Sequence, residues 1–229
     1  MIEFAIITHV FRYVSIERYL KSFNSFTSGE NYDLYLIHNK FEPKHIVNRY
    51  IRSEDEIHNI ENILNLYKNK TNATILEREN IGEDLGAFRY GYNLLKNKYK
   101  YYFFIGEKTI FKKNNWLSEF KNILENKEVG AVCPQIGKGI KYPFCLKTTY
   151  FCIKDYVLST LNWPEPLNRK DAELQEMELF YPHIKSLNLY CANVGTGDNL
   201  MNYVYNDGTE LDRRFWCCDF KKSKGILLF

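Results

Sequence analysis

The chain has 229 residues, enough to bury a full hydrophobic core in one α/β domain. Its formal net charge of +3 comes from interleaved Lys, Arg, Asp and Glu rather than from a block of one sign, which argues against a nucleic-acid binder. No stretch reaches the ~18 continuous apolar residues of a membrane span, and the apolar start, Ile2 to Val10, carries Glu3 and is followed by Arg12, unlike a secretory leader, so the expected location is cytoplasmic.

Strand and helix patterns alternate along the first two thirds, the order that builds a mainly parallel sheet flanked by helices. Phe4 to Thr8 reads as the first strand. Ser15 is placed to cap a helix on which Ile16, Tyr19, Leu20 and Phe23 share a face, and Asp33 to His38 follows as a second strand. After a loop containing Pro43, Ser53 and Glu56 have the spacing of a capping box, ahead of Ile57, Ile60, Leu64 and Tyr67 on one helical face. Ala73 to Glu77 is a third strand, and a glycine-punctuated turn leads into a helix reaching about Lys98.

Tyr101 to Ile105 is continuously apolar, the mark of a strand buried on both faces. Asn115 precedes a short helix carrying Trp116, Phe120 and Leu124; Val129 to Val132 and Thr148 to Ile153 are further strands. Asn162 to Pro166 is a loop, Asp171 to about Tyr181 an acidic helix, and Ser186 to Val194 a late strand. The six cysteines show no Cys-x-x-Cys spacing and several sit in apolar runs, as buried reduced thiols do. No internal repeat or low-complexity tract is visible, so the chain divides most simply as a single domain over 1–229, with a nucleotide-binding half at 1–110 and an acceptor and catalytic half at 111–229.

The densest signal is Glu77 to Gly91, Glu-Arg-Glu-Asn-Ile-Gly-Glu-Asp-Leu-Gly-Ala-Phe-Arg-Tyr-Gly, where a strand turns into a helix. Such turns, at the carboxyl ends of parallel strands, are where α/β proteins bind ligands. Gly82 permits the tight turn, Asn80 and Asp84 offer polar groups, and Leu85, Phe88, Tyr92 and Leu95 fall on one face, with Gly86, Ala87 and Gly91 as a second, small face. Thr8 and His9, then His38 and Asn39, end their strands at the same edge.

The segment resembles the Asn-x-Gly signature of nucleotide-sugar glycosyltransferases of the GT-A fold, especially the bacterial rhamnan-synthesis type with Asn-x-Gly-x-Asp-x-Gly-Ala. The resemblance spans roughly residues 3–180 and implies a GT-A-like, Rossmann-type α/β fold. It also implies transfer of a sugar from a nucleoside diphosphate donor to a glycan or lipid-linked acceptor in polysaccharide biosynthesis. Thr8, Asn39, Asn80 and Asp84 are then the positions that hold the base and ribose. Such enzymes often carry an acidic pair after the second strand, whereas this chain has Ile37-His38-Asn39, which leaves the base open.

The same resemblance places an Asp-x-Asp metal motif at the end of the apolar central strand. The chain has Gly106-Glu107-Lys108-Thr109 there, so Glu107 alone is left to hold Mn²⁺ or Mg²⁺, and metal dependence is in question. Lys108, or Arg213 and Arg214 further on, would otherwise neutralise the departing diphosphate. Asp171 and Glu173, near the start of the acidic helix, match the position of the base that takes the acceptor proton in inverting relatives. The tail, Lys221, Lys222 and Lys224 before Ile226 to Phe229, has the make-up of a peripheral membrane contact or of a last packed strand. Two other readings stay open. One is a binding protein that kept the fold without catalysis. The other is a sugar nucleotidyltransferase, although Thr8-His9-Val10-Phe11-Arg12 lacks that class's Gly-x-Gly-x-Arg loop.

Overall fold

A computed structural model describes residues 2–41, 52–133 and 150–194, together with the short strand segments 136–137, 145–146, 221–223 and 226–228. A seven-stranded sheet forms its centre. In chain order the elements are β1 (Phe4–Val10), α1 (Tyr13–Ser25), β2 (Tyr32–Phe41), α2 (Glu54–Thr71), β3 (Thr74–Glu79), α3 (Glu83–Leu95), β4 (Tyr101–Gly106), α4 (Trp116–Leu124) and β5 (Val129–Cys133). The two-residue strands β6 (Ile136–Gly137) and β7 (Cys145–Leu146) follow. Then come β8 (Tyr150–Lys154), α5 (Asp155–Ser159), α6 (Arg169–Glu178), α7 (Phe180–Ser186) and β9 (Tyr190–Asn193). The sheet order is β3-β2-β1-β4-β8-β5-β9. All neighbours run parallel except β8, which is antiparallel to both β4 and β5.

Alternation along the strands divides the apolar residues between two cores. Phe4, Ile6 and Val10 of β1, with Tyr101, Phe103 and Ile105 of β4, meet α1, α2 and α4. Ala5 and Ile7, with Tyr102 and Phe104, meet α3, α5 and α7 on the other face. Both faces are therefore dry, as expected for a parallel sheet with helices on each side.

The small face of α3 has a clear steric purpose. A Cβ on Gly91 would lie 2.9 Å from Ile7 Cγ2, and one on Gly86 would lie 2.0 Å from the Ile81 carbonyl oxygen. Gly82, at φ +70°, supplies the left-handed turn before the helix, with Pro166 packed directly over it.

Several expectations need correction. Helix α1 begins at Tyr13, so Ser15 is a buried residue inside its first turn and not the cap. Helix α3 stops at Leu95, and Asn97 takes a left-handed conformation, φ 65°. The acidic helix divides into α6 and α7 around Leu179, because Pro182 has no N–H to donate to the Glu178 carbonyl. Residues 186–189 are accordingly a helix end and a turn through Asn188, φ 56°, leaving only Tyr190–Asn193 as strand. The Ser53 cap is as expected: its hydroxyl accepts from Glu56 N at 3.2 Å. Cys133, Cys152 and Cys191 are buried free thiols. At the tail, Lys221–Ser223 pairs antiparallel with Ile226–Leu228.

Gly86→Ala should therefore destabilise the fold despite the better helix propensity of alanine, by about 1–3 kcal/mol of overpacking strain, because the atom it meets belongs to the backbone. Urea unfolding of parent and variant checks this; an unchanged midpoint would mean that the turn relaxes freely.

Candidate active site

The carboxyl ends of β1, β2, β3 and β4 form one polar edge. Strand order reverses between β1 and β4, since β1 continues to β2 and β3 on one side and meets β4 on the other. A crevice at that reversal is the usual ligand position in such sheets.

Its floor on the α3 side is a buried amide network. Asn39 Nδ2 donates to Asn80 Oδ1 at 2.9 Å and to the Glu83 carbonyl at 3.2 Å, tying the end of β2 to the turn before α3. Asn39 Oδ1 is buried without a partner. Beside it, Arg78 is buried, with Nη2 donating to the Ile81 carbonyl at 2.8 Å and Nη1 unpartnered. The Asp84 carboxylate turns back onto its own helix start and accepts from Leu85 N at 2.9 Å. Burial lifts Asp84 above its ordinary pKa, with Lys108 and Arg169 opposing. Glu83, strained at φ 50°, is raised by burial as well.

On the α1 side the edge is closed by Glu107 and Arg52. Both Glu107 oxygens are engaged: Oε2 accepts from Phe11 N at 2.5 Å and from Arg12 N at 2.9 Å, and Oε1 accepts from Arg12 N at 2.9 Å. The carboxyl is buried and pushed up to about 7 by desolvation, although the two amides favour its charged form. It thus supplies from another strand the cap that α1 lacks in its own sequence, at the positive end of the helix dipole. Buried Arg52 lies over the Phe11 ring with Cζ 4.3 Å from the centroid, and donates to the carbonyls of Phe11, Asn39 and Lys40.

Two histidines stand at this edge as neutral rings. Burial, reinforced by Arg78, Arg52 and Lys108, holds His9 down to about 3, and its Nε2 has no partner. His38 is held down to about 4 by burial and by Arg52, and neither ring nitrogen is hydrogen-bonded.

The expected site residues fall into groups. Asn39, Asn80 and Asp84 meet at the turn before α3, and the charge of Lys108 acts on Asp84 there. Thr8 lies inside β1, two residues short of its end, and faces the other core, its hydroxyl 2.8 Å from the Tyr19 hydroxyl. Glu173 lies at the mouth, paired with Arg169 Nε at 2.7 Å, and its charge acts on Glu83. Asp171 forms a reciprocal cap of α6: it accepts from Leu167 N at 3.1 Å and Asn168 Nδ2 at 3.2 Å, while Asn168 Oδ1 accepts from Asp171 N at 3.0 Å. Arg213 and Arg214 lie outside the described residues.

Sequence reading missed Arg52, Glu83 and Arg169. Arg169 Nη1 stands 4.0 Å from Glu83, joining α6 to the crevice turn. The segment before it runs along α3: Asp155 accepts from the Tyr92 hydroxyl at 3.4 Å, and Arg89 donates to the Trp163 carbonyl at 2.7 Å and pairs with Glu165 at 3.5 Å. Nothing local in 162–169 signals those partners, which lie some eighty residues away in the chain.

A divalent cation implied by the fold does not fit the side chains at the end of β4. Glu107, the carboxylate there, gives both oxygens to backbone amides. Among the described residues no three His, Cys, Asp or Glu converge on a common point.

Sheet order, flanking helices and the reversal of strand order between β1 and β4 define a GT-A-like, Rossmann-type α/β fold of the kind found in nucleotide-sugar transferases. Among solved structures, the chain is similar to mannosyltransferase PcManGT from Pyrobaculum calidifontis, solved in complex with GDP-Man and Mn²⁺. The TM-score is 0.53 at 10% identity, over 83% of this chain and 54% of that one, so this chain spans about half its length. More distant is a putative nucleotide-diphospho-sugar transferase from Desulfovibrio desulfuricans G20, with 11% identity, 76% of each chain covered and a TM-score of 0.39. A 4-diphosphocytidyl-2C-methyl-D-erythritol synthase from Anaerococcus prevotii DSM 20548 has 14% identity over 76% of this chain and 82% of that one, with a TM-score of 0.42. No protein-family model and no curated protein sequence matches the chain.

The buried histidines carry a pH prediction. Arg52 and Lys40 oppose protonation of His38 and Glu61 favours it, with burial the largest influence. Below about pH 6.5 the unfolded chain takes up a proton that the folded chain refuses until about 4, so stability falls across that window as pH drops. At pH 5 the loss due to His38 is about 2 kcal/mol. The difference in unfolding free energy between pH 7 and pH 5 should shrink by about that amount in His38→Leu; an equal difference would show that the ring is protonated or solvated in the fold.

Proposed function

We propose that the protein is a glycosyltransferase that takes a sugar from a nucleoside diphosphate donor bound at the carboxyl edge of β1, β2 and β3 and passes it to a glycan or lipid-linked acceptor. The observation that carries this reading is the Asn39–Asn80–Glu83 network, which fixes the Asn-x-Gly turn against the strand ends and leaves Asn39 Oδ1 and His9 Nε2 without partners. Buried polar atoms without partners are rare in native proteins and mark places where a ligand or water completes the set. In this reading residues 1–110 hold the nucleotide and 111–229 carry the acceptor side.

Glu173 is the better placed of the two candidate bases. Asp171 spends its carboxylate on the cap of α6, whereas Glu173 is exposed at the mouth and held only by a surface ion pair with Arg169. Such pairs contribute about 1 kcal/mol or less, so the carboxylate can be released to take a proton from an acceptor hydroxyl.

Two variants test the assignment. Asn80→Ala should weaken binding of a sugar nucleotide about tenfold, the loss of one well-made hydrogen bond and the turn it steadies, with calorimetry on a panel of UDP-, GDP- and dTDP-sugars as the measurement. Glu173→Gln should leave that affinity within about twofold yet lower transfer by about 10²-fold or more. Donor hydrolysis absent from the whole panel, with binding intact, would identify a binding module instead.

A further inference from the structure

The charge of a diphosphate must be met by something at this mouth, and the residue that the fold would give to a cation is already committed. Glu107 is inaccessible, its two oxygens bound to consecutive amides at the start of α1. Asp84 is turned onto the Leu85 amide. Neither offers a free oxygen pair to a hard dication, which needs several oxygen ligands.

The cationic side chains have the opposite disposition. Lys108 follows Glu107 directly, and its charge is felt by His9, Glu83, Asp84 and Glu107. Arg169 approaches from α6, and its charge is felt by the same Glu83 and Asp84. Both charges therefore act on the first turn of α3, Lys108 from the residues just past β4 and Arg169 from the start of α6, where it stands 4.0 Å from Glu83. Arg169 is held there by Glu173 at 2.7 Å and Glu83 at 4.0 Å, both partly exposed pairs. A phosphate that accepts two parallel N–H bonds from a guanidinium forms a stronger partner than either.

We propose that Lys108 and Arg169 together hold the diphosphate of the bound nucleotide in place of a metal ion, and that Glu107 is a positioning residue that clasps the turn between β1 and α1. This rests on the nucleotide-sugar reading above and adds to it a donor site that works without a divalent cation. Arg169 exchanges its carboxylate partners for phosphate oxygens as the donor enters, which frees Glu173 at the moment an acceptor base is needed. No covalent step is involved.

Calorimetry with inorganic pyrophosphate, then with GDP and UDP, in EDTA and in millimolar Mn²⁺, tests the proposal on the parent chain, Lys108→Ala, Arg169→Ala and Glu107→Gln. The expected result is binding in EDTA within about threefold of that in Mn²⁺, weakened about tenfold or more by either loss of cation. Glu107→Gln should lower the melting temperature without creating or removing any Mn²⁺ effect. Binding that requires Mn²⁺, binding undiminished in Lys108→Ala, or no pyrophosphate binding at all overturns the proposal. Failure of the transferase reading looks different: pyrophosphate still binds with the same dependence on Lys108, while no sugar nucleotide is hydrolysed or transferred.

Discussion

The site depends on one carboxylate. Glu107 joins the end of β4 to the amides of Phe11 and Arg12, just ahead of α1, across the gap where the sheet reverses its order. Burying a carboxyl there is costly, as its raised pKa records, and two charge-assisted bonds to backbone amides offset that cost. Without them α1 would begin uncapped, and the turn carrying Phe11 and Arg12 would have no fixed position relative to β4. Arg52, stacked on Phe11, takes its own position from that turn and fastens it to the end of β2.

The opposite wall is set by sterics. Gly91 brings α3 into close contact with Ile7 of β1 and Ile37 of β2, and Gly86 lets the turn at Ile81 and the Arg78 guanidinium fold against the start of the helix. The amides of Asn39 and Asn80 then share one hydrogen bond rather than each seeking water. Polar residues on one wall are thus placed by a hydrogen-bonded carboxylate and on the other by missing side chains. Neither device requires a ligand to be present for the edge to take shape.

The alternation of strands and helices was legible because each element carries its own pattern: short continuous apolar runs along β1 and β4, and apolar residues recurring at an interval close to four along α1 and α3. The Asn-x-Gly turn was legible for a related reason, since a left-handed glycine and the polar groups around it lie within a few residues. What could not be read depended on distant partners. Ser15 had the chemistry of a cap, but the cap came from Glu107, more than ninety residues on. The division of the acidic helix followed from Pro182, whose effect falls on a carbonyl four residues earlier, and was readable in principle. Arg169, which falls before the acidic helix as read from sequence, gave no local signal, because its meeting with Glu83 is decided by how the chain crosses α3.

That crossing has a mechanical side. Strand β8, the one strand of the seven-stranded sheet that runs against its neighbours, delivers the chain to the far end of α3, and the segment that follows climbs the helix contact by contact. It meets Tyr92 at Asp155, Arg89 at Trp163 and Glu165, Gly82 at Pro166 and finally Glu83 at Arg169. The order resembles a zip: its inner teeth sit around the buried Trp163, while its last tooth is a partly exposed ion pair. Since local opening starts where buried contacts are fewest, the seam parts first at the crevice and last at the deep end. The Glu83–Arg169 contact can part while the rest of the seam keeps α6 in register.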